Sequence, residues 1–219
     1  MKYGQIAENQ SINVTIYRCF EYICEQDALK FVKKFREQPH EKDQVMHTFR
    51  ELIVGAFLAS NAFNVRYDQK VDGKTPDWCV LDINTSSLQC IVELVNLHID
   101  RIREDESKRL LDAGQIWWNW AEPNNARLYQ RILEKANTYE KLAKKNKSPY
   151  VVSVFSEFTA DVKLEELNQC LFGDHGGLFN LCPTLSGVLF FKESSGWYFF
   201  TYIRNPQAIL EIEIPSGVF

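Results

Sequence analysis

Apolar positions along this chain fall into short, distinct patterns. Within residues 43–62, Val45, Phe49, Leu52, Ile53 and Ala56 recur at three- and four-residue spacing, the face of a buried helix. Val54, Phe57 and Leu58 make its second half apolar almost all round, so cover on more than one side is expected. Asp43 stands where an N-cap belongs. A second helical stripe, Leu128, Ile132, Ala136, Tyr139 and Leu142, runs through residues 124–146, and Ser148-Pro149 stops it. Strand patterns lie between the two helices. Val65 and Tyr67 mark one at 64–67. Trp78, Val80, Leu81 and Ile83 mark a second, and Cys90, Ile91, Val92, Leu94 and Val95 a third. Between the second and third sits Asn84-Thr85-Ser86-Ser87, all turn-forming types, which predicts a β-hairpin. Residues 150–155, YVVSVF, are almost continuously apolar, the signature of a strand buried on both faces of an α/β sheet.

The two ends are less regular. Ile12, Val14 and Ile16 alternate with polar residues and predict a strand over 12–17. Apolar residues at 20, 23, 28, 31, 32 and 35 predict a helix, broken by Gln38-Pro39-His40. Residues 1–42 therefore read as an N-terminal addition packed on the main domain, with no evident chemistry. Beyond the core, a short helix is predicted at 164–171 and a hairpin from 187–191 and 197–202 around Ser194-Ser195-Gly196. A last alternating strand is predicted over 209–214. No repeat, low-complexity tract or linker interrupts the chain. The expectation is a single domain over 1–219, with a core at 43–155, the N-terminal addition, and a C-terminal helix and strands over 156–219.

Composition changes this picture little. With 219 residues, 45% hydrophobic and 25% charged, the chain suits a globular domain. No apolar run approaches the ~18 residues of a membrane span, and residues 1–18 lack the apolar core of a signal peptide. A cytoplasmic protein without a membrane partner is expected. Six cysteines, none in a CxxC pair, read as reduced buried thiols more readily than as a zinc site. A net charge of −4 argues against an extended nucleic-acid surface but leaves room for a local groove.

The chemistry enters with two misplaced acids. Asp77 opens the second strand and Glu93 sits inside the third. A carboxylate in an apolar strand is costly unless it is paired or holds a metal. Two on paired strands can converge on one hard cation, since Mg²⁺ is held by one or two carboxylates with water and phosphate oxygens. Pro76-Asp77, a turn, then Glu93-Leu94-Val95 resembles the PD-(D/E)XK nuclease superfamily, with its restriction-endonuclease-like fold. The order helix, strand, turn, Pro-Asp strand, turn, acid-bearing strand matches that superfamily's core across residues 45–155. One departure stands out: Val95 occupies the position where the family keeps lysine.

The resemblance implies an α/β fold with a mixed central sheet flanked by helices. It also implies hydrolysis of phosphodiester bonds in a nucleic acid, DNA rather than RNA, with Mg²⁺ or Mn²⁺ as cofactor. Asp77 and Glu93 would be the metal ligands, and Glu51, on the preceding helix, a third; the plainer reading of Glu51 is a partly exposed helix acid. For the missing lysine, Lys135 is the first candidate, because it falls on the apolar stripe of the 124–146 helix. Lys74, beside Pro76-Asp77, is the second. The alternatives are a nuclease-like fold without catalysis that binds nucleic acid or protein, and a structural protein in which the two acids are coincidental. Three further features have two readings each. Trp117, Trp118 and Trp120 suit a hydrophobic anchor or homodimer contact, or else a base-stacking platform. Lys141, Lys144, Lys145 and Lys147 suit a solvated helix end or a phosphate contact. His175, in a glycine-rich loop, suits the surface or a reach into a site.

Overall fold

The computed structural model describes residues 9–37, 42–97, 125–156, 162–173 and 177–219. The tryptophan cluster at 117–120, the charged stretch at 100–109, His98, Pro39 and His175 lie outside the described residues.

Seven strands form one mixed sheet in chain order, each hydrogen-bonded to the next. They are β1 (Val65–Tyr67), β2 (Trp78–Leu81), β3 (Leu88–Leu97), β4 (Tyr150–Ser156), β5 (Leu185–Ser194), β6 (Trp197–Arg204) and β7 (Gly217–Val218). The pairs β1/β2, β2/β3, β5/β6 and β6/β7 are antiparallel, whereas β3/β4 and β4/β5 are parallel. The predicted hairpin at 78–95 is present, and the Asp82 carboxylate braces its turn by accepting from the Asn84 and Thr85 amides.

Helices cover both faces. On one face lie α1 (Gln10–Phe20), α2 (Glu25–Glu37) and α3 (Lys42–Ser60). Their buried Ile16, Phe31, Phe49, Leu52 and Phe57 join Tyr67, Trp78, Val92, Leu94, Val151 and Phe191 of the sheet in one core. On the other face lie α4 (Asn125–Asn146), α5 (Leu164–Phe172) and α6 (Leu178–Leu181). There Leu128, Ile132, Ala136 and Leu167 pack on Ile91, Val95, Tyr150, Val152 and Val154. The sheet is sandwiched because its central strands are apolar on both sides: every residue of β4 is buried. Among the described residues no helix is long and apolar enough to cross a membrane.

Four expectations are corrected. Residues 12–17 are helical, inside α1, because Thr15, Ile16 and Cys19 make a buried helical face and the Asn9 side chain caps the Ser11 and Ile12 amides. The helix expected at 20–35 begins only at Glu25, since Phe20 ends α1 and residues 21–24 turn the chain. Residues 209–214 form no strand. Their Glu211 and Glu213 meet Arg204 through side chains. The Ser216 hydroxyl, and not a backbone carbonyl, accepts from the Tyr202 amide. Only Gly217–Val218 completes a ladder with β6. Asp43 is itself a helical residue of α3 and not its N-cap.

Candidate functional site

Register places the two acids. Trp78 pairs with Val92 across β2/β3, so the residue before Trp78 lies opposite the residue after Val92. Asp77 and Glu93 then share one face of the sheet. Each carboxylate is fixed by the other's strand: the Asp77 amide donates to Glu93 Oε1 at 2.9 Å, and the Leu94 amide donates to Asp77 Oδ2 at 2.7 Å. One oxygen of each acid is thereby committed. Burial, followed by the charges of Glu93 and Glu51, pushes the Asp77 pKa up to about 7.

The lysine position is filled by packing. Val95 is 5% exposed and belongs to the same core cluster as Ile132 and Ala136 of α4. A cation does reach Glu93 from that helix. Lys135, beside the apolar stripe, donates to Glu93 Oε2 at 2.6 Å. Burial works against its ammonium, but Glu93 and Asp77 outweigh burial and hold its pKa above the ordinary lysine value. Lys135 is therefore a fixed positive charge at neutral pH. One turn further on, Tyr139 also faces Glu93, and burial together with that charge raises its hydroxyl pKa.

Lys74, the second candidate, points elsewhere: its ammonium donates to the Thr138 carbonyl and lies 5.1 Å from the Tyr139 ring centre. With the Asp72–Lys145 pair at 2.6 Å, it ties the 72–75 turn to α4. Of the basic helix end, Lys145 is thus engaged by Asp72, and Lys144 by Glu140 at 2.6 Å.

Glu51 is 5% exposed and sits in a polar chain that runs through four elements. His47 Nε2 lies 3.0 Å from Glu51 Oε1, while the Tyr67 hydroxyl donates to Oε2. Behind these, His47 Nδ1 meets the Asn96 amide nitrogen, and Lys34 donates to the Tyr67 hydroxyl and pairs with Asp68 at 3.0 Å. Burial alone would raise the Glu51 pKa, but the His47 and Tyr67 contacts and the Lys34 charge lower it, so it is an anion. Both its oxygens already have donors. Glu51 also contributes to the fields at Asp77 and Lys135, which places it in the same cluster.

His47, Lys34, Tyr67 and Asn96 join the site without having been singled out in the sequence. His47 and Glu51 stand four apart on one helix face, which is a usable signal. Nothing in the sequence links Lys34, Tyr67 and Asn96 to them, because their contacts join separate elements, 16 residues apart for Tyr67 and Glu51 and 49 for Asn96 and His47. Among the described residues no three His, Cys, Asp or Glu side chains converge to hold an ion unaided. No protein-family model matches the chain, and no curated protein or solved structure is significantly similar to it.

Proposed function

We propose that the chain is a metal-dependent nuclease that hydrolyses phosphodiester bonds of DNA or RNA, DNA being the expected substrate, on a restriction-endonuclease-like core. The observation that carries this reading is the opposed pair Asp77 and Glu93 with the Lys135 ammonium on Glu93. The antiparallel β1–β2–β3 unit, followed by a helix and the parallel strand β4, supports the core assignment.

The donor set fits Mg²⁺ or Mn²⁺. Both ligands are hard carboxylate oxygens, and Asp77 and Glu93 would hold the ion together with water and substrate phosphate. Charge agrees: Glu51, Asp68, Asp77 and Glu93 face the ammonium groups of Lys34 and Lys135. Asp77, its pKa pushed up to about 7 by burial, Glu93 and Glu51, is the acid whose ionised form a bound cation would stabilise. Such an ion, when bound, acidifies a water and offsets charge on the phosphate. Lys135, kept protonated, serves as a cation that orients the water and stabilises the phosphate oxygens, and not as a base. His47 and Tyr67 hold Glu51 ionised beside Asp77.

A second reading has its own support. Lys135 already neutralises Glu93, and both carboxylates are partly consumed by backbone amides. That arrangement suits a nuclease-like fold that binds nucleic acid or protein without cutting it. Incubating the pure chain with single- and double-stranded DNA and RNA, with Mg²⁺ or Mn²⁺, separates the two. Cleavage that disappears in Asp77→Ala supports the enzyme; binding without cleavage under every condition supports the module.

A further inference from the structure

We propose that Lys34 of α2 is a phosphate-binding residue of this site, so that the N-terminal helices form one wall of the groove that receives the nucleic acid. The inference rests on the nuclease reading and extends it to a segment whose sequence shows no chemistry. Two lysines of α2 point towards β1, and they differ. Lys30 anchors the helix: it donates to the Tyr67 carbonyl and pairs at 2.8 Å with Asp27, whose buried carboxylate also accepts from the Tyr67 amide. Lys34 adds a contact of its own by donating to the Tyr67 hydroxyl. Its ammonium sits 4.5 Å from the Tyr67 ring centre, 3.0 Å from Asp68 and 4.0 Å from Glu51.

The side chain of Lys34 is 32% exposed, almost the same as the 33% of Lys135. Both cations therefore keep an open side while touching the acid cluster. Lys135 meets Glu93 from the α4 side of the sheet, and Lys34 meets Glu51 from the opposite side. A polyanion approaching buried carboxylates is repelled unless cations meet it on the way. Lys34 is the cation that meets it on the α2 side. Its partner Asp68 is held at φ 50°, a left-handed conformation that an aspartate tolerates. A half-exposed pair of this kind is weak, and a phosphate displaces it at little cost.

The test follows binding of a labelled DNA duplex and single strand by fluorescence anisotropy, with Ca²⁺ replacing Mg²⁺ to suppress cleavage. Lys34→Met keeps the stem over the Tyr67 ring and removes the charge. It should weaken binding on the order of tenfold and lower the salt slope by about one, independent of sequence. Lys34→Arg should restore most of the affinity. Lys33→Ala, which removes an equal charge from the outward face of α2, should change neither quantity. Unchanged binding in Lys34→Met, or an equal loss in Lys33→Ala, overturns the proposal. Should Lys34→Met not fold, Asp68→Asn decides: freeing the ammonium should tighten binding, and unaltered or weaker binding overturns the idea. A wild-type chain that neither binds nor cuts any nucleic acid removes the nuclease reading and this one together. A chain that cuts normally with Lys34→Met leaves the nuclease standing and removes Lys34 alone.

Discussion

At the scale of single residues, the site is a set of charges that the fold must hold apart from water. Asp77 is the clearest case. In the metal-free chain its pKa is pushed up to about 7, by burial first and then by Glu93 and Glu51, whereas in the unfolded chain it titrates near the ordinary ~3.9. As pH rises the unfolded chain loses its proton first, which favours unfolding. The stability tied to this group is therefore complete below about pH 4, declines up to about pH 7, and stays lower above it. Asp77→Asn removes the charge and leaves a carbonyl oxygen for the Leu94 amide. In urea unfolding at pH 8 it should gain about 2 kcal/mol, and at pH 4 almost nothing. A gain of equal size at both pH values would contradict the ionisation account. Lys135 gives the converse. Glu93 is 1% exposed, and taking away one partner of a buried pair costs about 3–5 kcal/mol. Water reaches Lys135, so the loss in Lys135→Ala should be nearer about 2 kcal/mol. On the proposed nuclease reading, calorimetry on that variant should still detect Mg²⁺ uptake while cleavage is lost, because the ammonium would serve phosphate and water. Loss of Mg²⁺ binding together with cleavage would instead make Lys135 part of the metal site's architecture.

At the scale of elements, what was legible in the sequence had a strong period or a clear anomaly. Acids beside apolar strand patterns and a lysine on an apolar helix face pointed to Asp77, Glu93 and Lys135 without any coordinates. Alternation over a few residues misled at both ends. In α1 the same Ile12 and Ile16 that alternate also stand four apart, and the longer helical face through Cys19 prevails. At 209–214 the alternation serves ion pairs to Arg204 and no ladder. Gly55 shows a different limit of sequence reading. A glycine inside a helix invites replacement by alanine, worth about 1 kcal/mol of propensity. Here an added Cβ would lie 1.9 Å from the Trp78 ring. That ring cannot swing away, since it is 1% exposed and its Nε1 donates to the Glu51 carbonyl at 2.7 Å. Forced overpacking costs about 1–3 kcal/mol or more, which outweighs the propensity gain. Gly55→Ala should therefore lower the thermal midpoint by several degrees, and it should displace Trp78, and with it Asp77, enough to change near-ultraviolet circular dichroism. A raised midpoint would show that α3 and β2 have slack between them.

At the scale of the whole molecule, the N-terminal helices decide how the chain behaves. Residues 1–42 read in sequence as an addition, which suggests that the core could stand without them. Packing argues otherwise. Ile16, Ile23, Phe31 and Phe35 are at most 7% exposed and share one core with α3 and the sheet. Phe31 stacks on Tyr67 with ring centres 4.0 Å apart and lies 5.9 Å from Trp78. The edge strand β1 depends on α2 as well, because the buried Asp27 carboxylate accepts from its Tyr67 amide. Four buried side chains at about 2 kcal/mol each contribute roughly 8 kcal/mol, comparable to the whole stability of an ordinary domain. The full chain should accordingly unfold in one calorimetric transition, with van't Hoff and calorimetric enthalpies equal. A chain starting at residue 42 should lose that transition and its near-ultraviolet signal, and bind a hydrophobic dye as loosely packed states do. Two resolved transitions in the full chain, or a truncated chain that melts cooperatively, would make α1 and α2 a separable module. In that case Lys34 would be presented to the acid cluster by docking and not by the core itself.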